Sequence, residues 1–197
     1  MHRGRAALAA VEEGFALCDV RDGFMYAGGR DLSGYEDGTE NPTGEAAAAA
    51  ALVGGEEPGL TGSSVVAVQV WAHALERLAA MTPGERDACV GRREVDNEEI
   101  DDAPASAHVK RAAQESFEPA ALMVRRSMPW ADARGEGLIF VAFGRTLDAF
   151  EAVLRRMVGV EDGVADALFR FTRPTSGAAF WCPPLREGRL DLRRLGV

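Results

Sequence analysis

The sequence is poor in cysteine, histidine and lysine, and these shortages exclude several kinds of site. Among its 197 residues are three cysteines, which lie far apart and form no CxxC pair. A disulfide framework and a zinc knuckle are therefore not expected, and we predict that the cysteines are buried or inert thiols. Lys110 is the only lysine, so almost all of the positive charge is carried by arginine.

Long apolar runs and an excess of positive charge are also missing. No stretch approaches the ~20 apolar residues that a membrane-spanning helix needs, and the start, MHRGRAALAAVEEG, lacks the apolar core of a secretory signal. The formal net charge of −9 disfavours a phosphate-binding surface. We therefore predict a cytoplasmic protein that binds neither membrane nor nucleic acid.

The pattern of secondary structure from residue 63 onward predicts one compact unit. A β-branched run at 63–72 indicates a central strand, and Thr82-Pro83-Gly84-Glu85 is a capping box that starts a helix. Strands at 119–128 and 137–145, a helix after Thr146 and a last strand near 177–183 follow. This order is the βαββαβ ferredoxin-like arrangement, an α+β fold with an antiparallel sheet.

The segment before residue 60 holds too few elements for a second unit of this kind. We predict a helix over 3–13, short strands near 14–27, a loop rich in glycine and aspartate over 28–45, and a further helix or loose connector in the alanine run 46–55. A helix is also predicted from His73 to Ala80, directly after the central strand.

Few residues have the chemistry of a functional site, and each has an ordinary structural alternative. His73 and His108 could be structural or exposed; one histidine cannot build a zinc site, although it can serve as the proximal ligand of a haem iron. Asp37, within Tyr-Glu-Asp-Gly-Thr, fits an Asx-type turn as well as a working acid. Strand alternation sends Arg125 and Arg126 to opposite faces, and the one on the covered face would need an anion.

Several segments, in order, resemble one family. The stretch RDLSGYEDGTENPTG (30–44) resembles the R-D-L-x-G-F-x-D-G-T-E-N-P signature of dye-decolourising peroxidases, in particular the bacterial B type. GRREVDNEEIDDAPASAHVKR (91–111), VRRSMPW (124–130), GLIFVAFGRTLDAFEAVLRRM (137–157) and DALFRFTRPTSGAAFWCPP (166–184) resemble further family segments. The resemblance runs from about residue 20 to the last strand.

On the proximal side of a haem, the resemblance implies roles for three residues. His108 is expected to be the fifth ligand of the iron. Asp166 is expected to accept the hydrogen bond from Nδ1–H of His108, and Arg92 to pair with a haem propionate. The implied cofactor is haem b, iron protoporphyrin IX.

On the distal side, the resemblance implies roles for four more residues. Asp37 is expected to act as acid and base toward peroxide, and Arg125 to stabilise the negative charge that develops. Ser127 is expected beside the distal pocket, and Phe140 is expected to pack on the distal face.

The implied function is a haem peroxidase that uses hydrogen peroxide to oxidise dyes or other aromatic reductants through a ferryl intermediate. A non-catalytic haem carrier or sensor on the same scaffold is the alternative. Family members have two ferredoxin-like domains, so residues 1–60 are expected to be a remnant of the N-terminal domain with the interdomain loop, and 61–197 the C-terminal haem-binding domain. Apolar faces exposed by a partial domain favour association, and a homo-oligomer is therefore expected.

Overall fold

A central antiparallel sheet organises the chain. The structure is a computed structural model that describes residues 2–196. Its sheet has five strands: β1 (Ser64–His73), β2 (Val124–Arg125), β3 (Met128–Asp132), β4 (Gly135–Gly144) and β5 (Thr172–Cys182). The order is β2–β4–β1–β5, with β3 also paired to β4. A separate hairpin follows, formed by β6 (Leu185–Arg186) and β7 (Arg189–Leu190).

Within residues 2–196, six α-helices accompany the sheet. They are α1 (His2–Val11), α2 (Gly44–Ala51), α3 (Leu75–Ala79), α4 (Pro83–Val90), α5 (His108–Arg111) and α6 (Asp148–Met157). Single 3-10 turns occur at Gln114–Ser116, Ala167–Arg170 and Arg193–Leu195. Across residues 2–196, none of the helices has the length and hydrophobicity that a membrane span requires.

The connectivity is that of the ferredoxin-like fold, as predicted. The first and third strands of the motif, β1 and β4, lie side by side in the middle, and the last strand, β5, pairs with β1. Local signals account for much of this. Thr82 and Glu85 form both hydrogen bonds of the capping box at the start of α4. The hydroxyl of Thr146 accepts from the backbone N–H of Asp148 where α6 begins, and Gly159 lies just beyond its end with φ +76°.

Three predicted elements differ from the structure. The strand predicted at 119–128 is reduced to β2, because the N–H groups of Ala121 and Met123 donate to Gln114 rather than to a neighbouring strand. The strands predicted within 14–27 are not formed; only isolated bridges involving Gly23 and Tyr26 occur there. The helix predicted from His73 begins at Leu75, because His73 still pairs with Thr172 across the sheet.

The segment from Phe15 to Met25 carries exposed apolar side chains. Phe15, Leu17 and Met25 expose 74%, 58% and 82% of their surfaces. Surfaces of this kind favour contacts with other protein. Association of copies, and the division of the chain at residue 60, stay predictions.

Candidate functional site

A cavity lies between one face of the sheet and the helices that cover it. Its volume is about 1030 Å³, counted as all the space between atoms and including its opening to solvent. The lining is mainly apolar and includes Val153, Leu154 and Met157 of α6. A mostly apolar cavity with a few polar groups is typical of a site for a small molecule or cofactor.

The pairing of the strands decides which side chains face this cavity. Gln69, Trp71 and His73 alternate along β1 and all line it. Phe140 on β4 pairs with Gln69 and lies on the same face. The same alternation sends Arg125 of β2 into the cavity lining, while its neighbour Arg126 is exposed.

The buried Nε of Arg125 has no hydrogen-bond partner within the part of the chain that the structure describes. A buried guanidinium nitrogen without a partner is costly, since it gives up water without a replacement. A ligand or water in the cavity would supply the missing acceptor.

His108 enters the cavity from the start of α5. Its Nδ1 lies 2.8 Å from Oδ2 of Asp166, whose side chain has no exposed surface. The other carboxylate oxygen of Asp166 accepts from the backbone N–H of Leu168 at 2.8 Å. An ionised carboxylate only accepts hydrogen bonds, so opposite an ionised Asp166 a neutral His108 carries its proton on Nδ1 and its lone pair on Nε2. That arrangement is the one used by histidines that bind a metal.

His108 is the first residue of α5, and its position is set by close packing between α4 and α5. Gly91 ends α4 with φ +89°, and a side chain there would collide with Val109. Glycine is required by both the backbone angle and the lack of space. On the other end of α5, Arg111 is buried and forms a two-pronged ion pair with Asp162, with N–O distances of 2.7 and 2.9 Å.

The loop that carries Asp37 is tied to three separate elements. Asp31 contacts His73 of β1, with 3.1 Å between Oδ1 and Nε2. The hydroxyl of Tyr35 donates to Asp87 of α4 at 2.6 Å. Burial and this hydrogen bond to Asp87 raise the pKa of Tyr35 well above its ordinary value. Asp37 itself lines the cavity and is exposed to solvent.

The third tie joins the loop directly to Arg125. The side-chain amide of Asn41 accepts from the backbone N–H of Arg125 at 2.8 Å and donates to its backbone carbonyl at 2.9 Å. Both backbone groups of one strand residue are thus satisfied by a single side chain, as an adjacent strand would do. The Asp37 loop and the end of β2 are consequently held in a fixed relation.

We predict that Asn41→Ala lowers the free energy of unfolding by about 1–3 kcal/mol, because two part-buried backbone groups lose their partner. Chemical denaturation measures this loss. Asn41→Asp is the matched variant, since it keeps an acceptor for the N–H of Arg125 but loses the donor to its carbonyl. Its free energy of unfolding should lie between those of the wild type and Asn41→Ala. Equal stability of all three proteins would contradict the importance of this contact.

Two of the predicted site residues lie away from the cavity lining. The guanidinium of Arg92 contacts Glu40 at 2.7 Å and Glu99 at 3.1 Å, and it also donates to the backbone carbonyl of Asn97. The hydroxyl of Ser127 is buried in the turn between β2 and β3, without a hydrogen-bond partner among residues 2–196. The other five, His108, Asp166, Asp37, Arg125 and Phe140, lie at the cavity or in direct contact with a residue that lines it.

Sequence reasoning missed the pair formed by His73 and Asp31, which also lines the cavity. Strand alternation was the available signal, since it places His73 on the same face as Gln69 and Trp71. Prediction of a helix start at His73 obscured that signal. The cysteines play no part in the cavity lining: Cys89 is buried, which raises the pKa of its thiol, whereas Cys18 is exposed, so for Cys18 only the inert-thiol alternative stays a prediction.

Comparison with known proteins relates this site to one family. The family model described as "Dyp-type peroxidase, C-terminal" matches residues 28–187. The dye-decolorizing peroxidase of Mycolicibacterium paratuberculosis is 32% identical over 89% of this chain and 51% of its own length. That of Mycobacterium tuberculosis is 31% identical over 90% of the chain and 55% of its own length. The chain therefore spans about half the length of these curated relatives.

Solved structures give the same relation. A dye-decolorizing protein from Vibrio cholerae superposes with a TM-score of 0.84 at 34% identity, covering 92% of this chain and 61% of the other. A variant of DypB from Rhodococcus jostii RHA1, solved in complex with heme, gives a TM-score of 0.85 at 30% identity over 92% of this chain and 60% of its own. On the family match and on these relatives, the chain belongs to the Dyp-type (dye-decolorizing) peroxidase family.

Proposed function

We propose that this chain binds haem b and acts as a peroxidase, using hydrogen peroxide to oxidise dyes or other aromatic reductants. One observation carries the proposal: His108, oriented by a buried carboxylate, lines the same large apolar cavity as Arg125 and Asp37. The solved structure of a relative in complex with heme supports the choice of cofactor.

The residues at the cavity fit a haem group. Nε2 of His108 is the proposed axial ligand, and hydrogen bonding to Asp166 would make the imidazole a stronger electron donor. Leu138, Phe140 and Phe150 supply apolar surface for the macrocycle. Because the sequence has no CxxC pair, non-covalent haem b is favoured over a covalently attached form.

A propionate contact is proposed for Arg92. Its guanidinium already binds the carboxylates of Glu40 and Glu99, so a propionate would be a third group of the same chemistry. This role requires exchange of at least one of these partners, because Arg92 does not line the cavity in the structure. Ser127 is proposed as a polar neighbour of the distal pocket, using its buried hydroxyl.

The proposed chemistry divides between cofactor and protein. Haem supplies, when bound, an iron that takes oxidising equivalents from peroxide and passes them on in one-electron steps. The carboxylate of Asp37 accepts a proton from hydrogen peroxide and returns it to the oxygen atom that leaves as water. The fixed guanidinium of Arg125 stabilises the negative charge that grows on the oxygen atoms.

Titration of the purified chain with hemin, followed by peroxide and a dye, tests this proposal. We expect a saturable Soret band at about one haem per chain, and dye oxidation that depends on both peroxide and haem. Hemin binding without turnover would replace the proposal by a haem carrier or sensor. Failure to bind hemin would refute the haem site itself.

Replacing Asp166 by asparagine tests the orientation of the axial ligand. The asparagine amide keeps the size of the side chain but removes the charge that favours a proton on Nδ1 of His108. We expect hemin to bind about tenfold more weakly and the reduction potential of the bound iron to rise, as measured by spectroelectrochemistry. Unchanged affinity and potential would show that Asp166 has no influence on the ligand. Asp162→Asn, which affects the nearby ion pair of Arg111 instead, is the control.

A further inference from the structure

A second histidine lines the cavity, and its two ring nitrogens are both engaged. The side chain of His73 is only 4% exposed. Its Nε2 lies 3.1 Å from Oδ1 of Asp31, and its Nδ1 lies 2.7 Å from the hydroxyl of Thr172, its cross-strand partner. The ring also packs edge-on against Phe171, with 6.1 Å between the two ring centroids.

His73 differs from His108 in its hydrogen bonds, because both of its ring nitrogens have partners. An ionised carboxylate can only accept, so Nε2 of His73 must carry a hydrogen atom directed at Asp31. Its Nδ1 faces the hydroxyl of Thr172, which can either accept or donate. Neither nitrogen has a free lone pair for a metal in this arrangement. A role other than iron ligation is therefore needed for this buried imidazole.

Asp31 has three further hydrogen bonds, all within the loop that leads to Asp37. Its Oδ2 accepts from the N–H of Ser33 at 2.9 Å. Its backbone carbonyl accepts from the N–H of Gly34 and its own N–H donates to the carbonyl of Tyr35, each at 2.9 Å. Gly34 has φ +95°, a backbone angle that such a tight turn requires. The turn is thus built around Asp31, whose carboxylate binds Ser33 and whose backbone binds Gly34 and Tyr35.

Burial raises the pKa of Asp31, but its interactions with His73 and its hydrogen bonds with Ser33 together keep that pKa below the ordinary value. The carboxylate that organises the turn is therefore stabilised from the sheet. β1 lies inside that sheet and is paired with both β4 and β5 from Val65 to Ala72, and His73 continues the pairing with β5 through Thr172. The loop is therefore anchored at the end of an inner strand of the sheet.

We propose that His73 is a positioning residue for the candidate distal acid. It holds the Asp31 carboxylate, Asp31 holds the turn from Ser33 to Tyr35, and the turn presents Asp37 to the cavity. The kinetic consequence rests on the proposed peroxidase function, whereas the structural link between His73 and the loop does not.

Hydrogen–deuterium exchange of the chain, with and without hemin, tests this link directly. His73→Phe keeps an aromatic ring but removes both nitrogens. We expect the amides of Ser33 and Gly34 to exchange at least about tenfold faster in this variant. His73→Gln, whose side-chain N–H can reach Asp31, should restore most of the protection. Thr172→Val removes only the partner on the other nitrogen and should leave loop exchange close to that of the wild type.

The haem readouts separate this inference from the proposed function. We expect His73→Phe to retain a Soret band of normal stoichiometry while its reaction with peroxide slows at least about tenfold. Absence of hemin binding by the wild type would overturn the function, yet the exchange data would still decide the role of His73. Unchanged protection of Ser33 and Gly34 in His73→Phe would overturn the inference. Should that variant not fold, Asp31→Asn provides the same test, with faster exchange expected and unchanged exchange contradicting it.

Discussion

Replacing His108 by alanine is expected to abolish stoichiometric hemin binding, with affinity reduced by about a hundredfold or more. The estimate starts from the hydrogen-bond partner of a metal-binding histidine, because removing that partner alone lowers metal affinity by about ten- to a hundredfold. Removing the ligand itself should cost at least the larger of these. The measurement is a Soret titration of wild type and variant, made with the complete chain.

His73→Phe is the matched control for this experiment. Both histidines line the same cavity, but only His108 has a ring nitrogen without a protein partner among the described residues. Hemin binding should therefore survive the change at His73. Free imidazole added to His108→Ala should restore part of the Soret band by occupying the vacated space. Equal loss of binding in both variants would point to collapse of the cavity rather than loss of a ligand.

Arg125→Leu and Asp37→Asn should leave hemin bound but slow the reaction with peroxide. For the arginine, loss of a fixed positive charge near the reacting oxygens should reduce the rate constant by about a hundred- to a thousandfold. For the aspartate, loss of the proton acceptor placed beside the peroxide should reduce the rate constant by about a hundred- to ten-thousandfold. Rapid-mixing absorbance measurements on the haem-loaded variants give both values.

Arg126→Leu is the neighbouring control for the arginine experiment. Arg126 follows Arg125 in the chain and carries the same charge, but it lies on the opposite side of the strand and is exposed. Its removal should change the peroxide rate by less than about threefold, since an exposed charge is screened by solvent. Similar losses in both arginine variants would indicate a general electrostatic effect, and the specific role of Arg125 would fall.

The elements predicted from sequence were those determined by local signals. The capping box at Thr82, the β-branched run of β1 and the apolar face of α6 each depend on residues close together in the chain. The predicted length of β2 was wrong. The backbone N–H groups of Ala121 and Met123 donate to Gln114 instead of to a neighbouring strand, and a strand pattern does not reveal this contact. Strands within 14–27 were wrong because strand formation depends on a partner, and the described chain supplies only isolated bridges there.

In the candidate site, too, local patterns predicted some features, whereas others depend on residues far apart in the chain. Alternation indicated that Arg125 and Arg126 point in opposite directions, but only the pairing of β2 with β4 decides which one faces the cavity. Asn41 contacts Arg125, 84 residues away, and His73 contacts Asp31 and Thr172, 42 and 99 residues away, which is beyond the reach of any local pattern. The roles suggested for His108, Asp37 and Arg125 came from resemblance to a family rather than from local physics, and they stay predictions.

The double hydrogen bond between Asn41 and Arg125 has a consequence for reading mutant kinetics. The loop bearing the candidate acid and the strand end bearing the candidate guanidinium are joined at one backbone residue, so a shift in either is transmitted to the other. Substitutions at Asp37 and Arg125 are then not independent perturbations, and their free-energy effects should not sum. In the proposed peroxidase, the two candidate groups would therefore respond together, because one amide side chain joins the backbone segments that carry them.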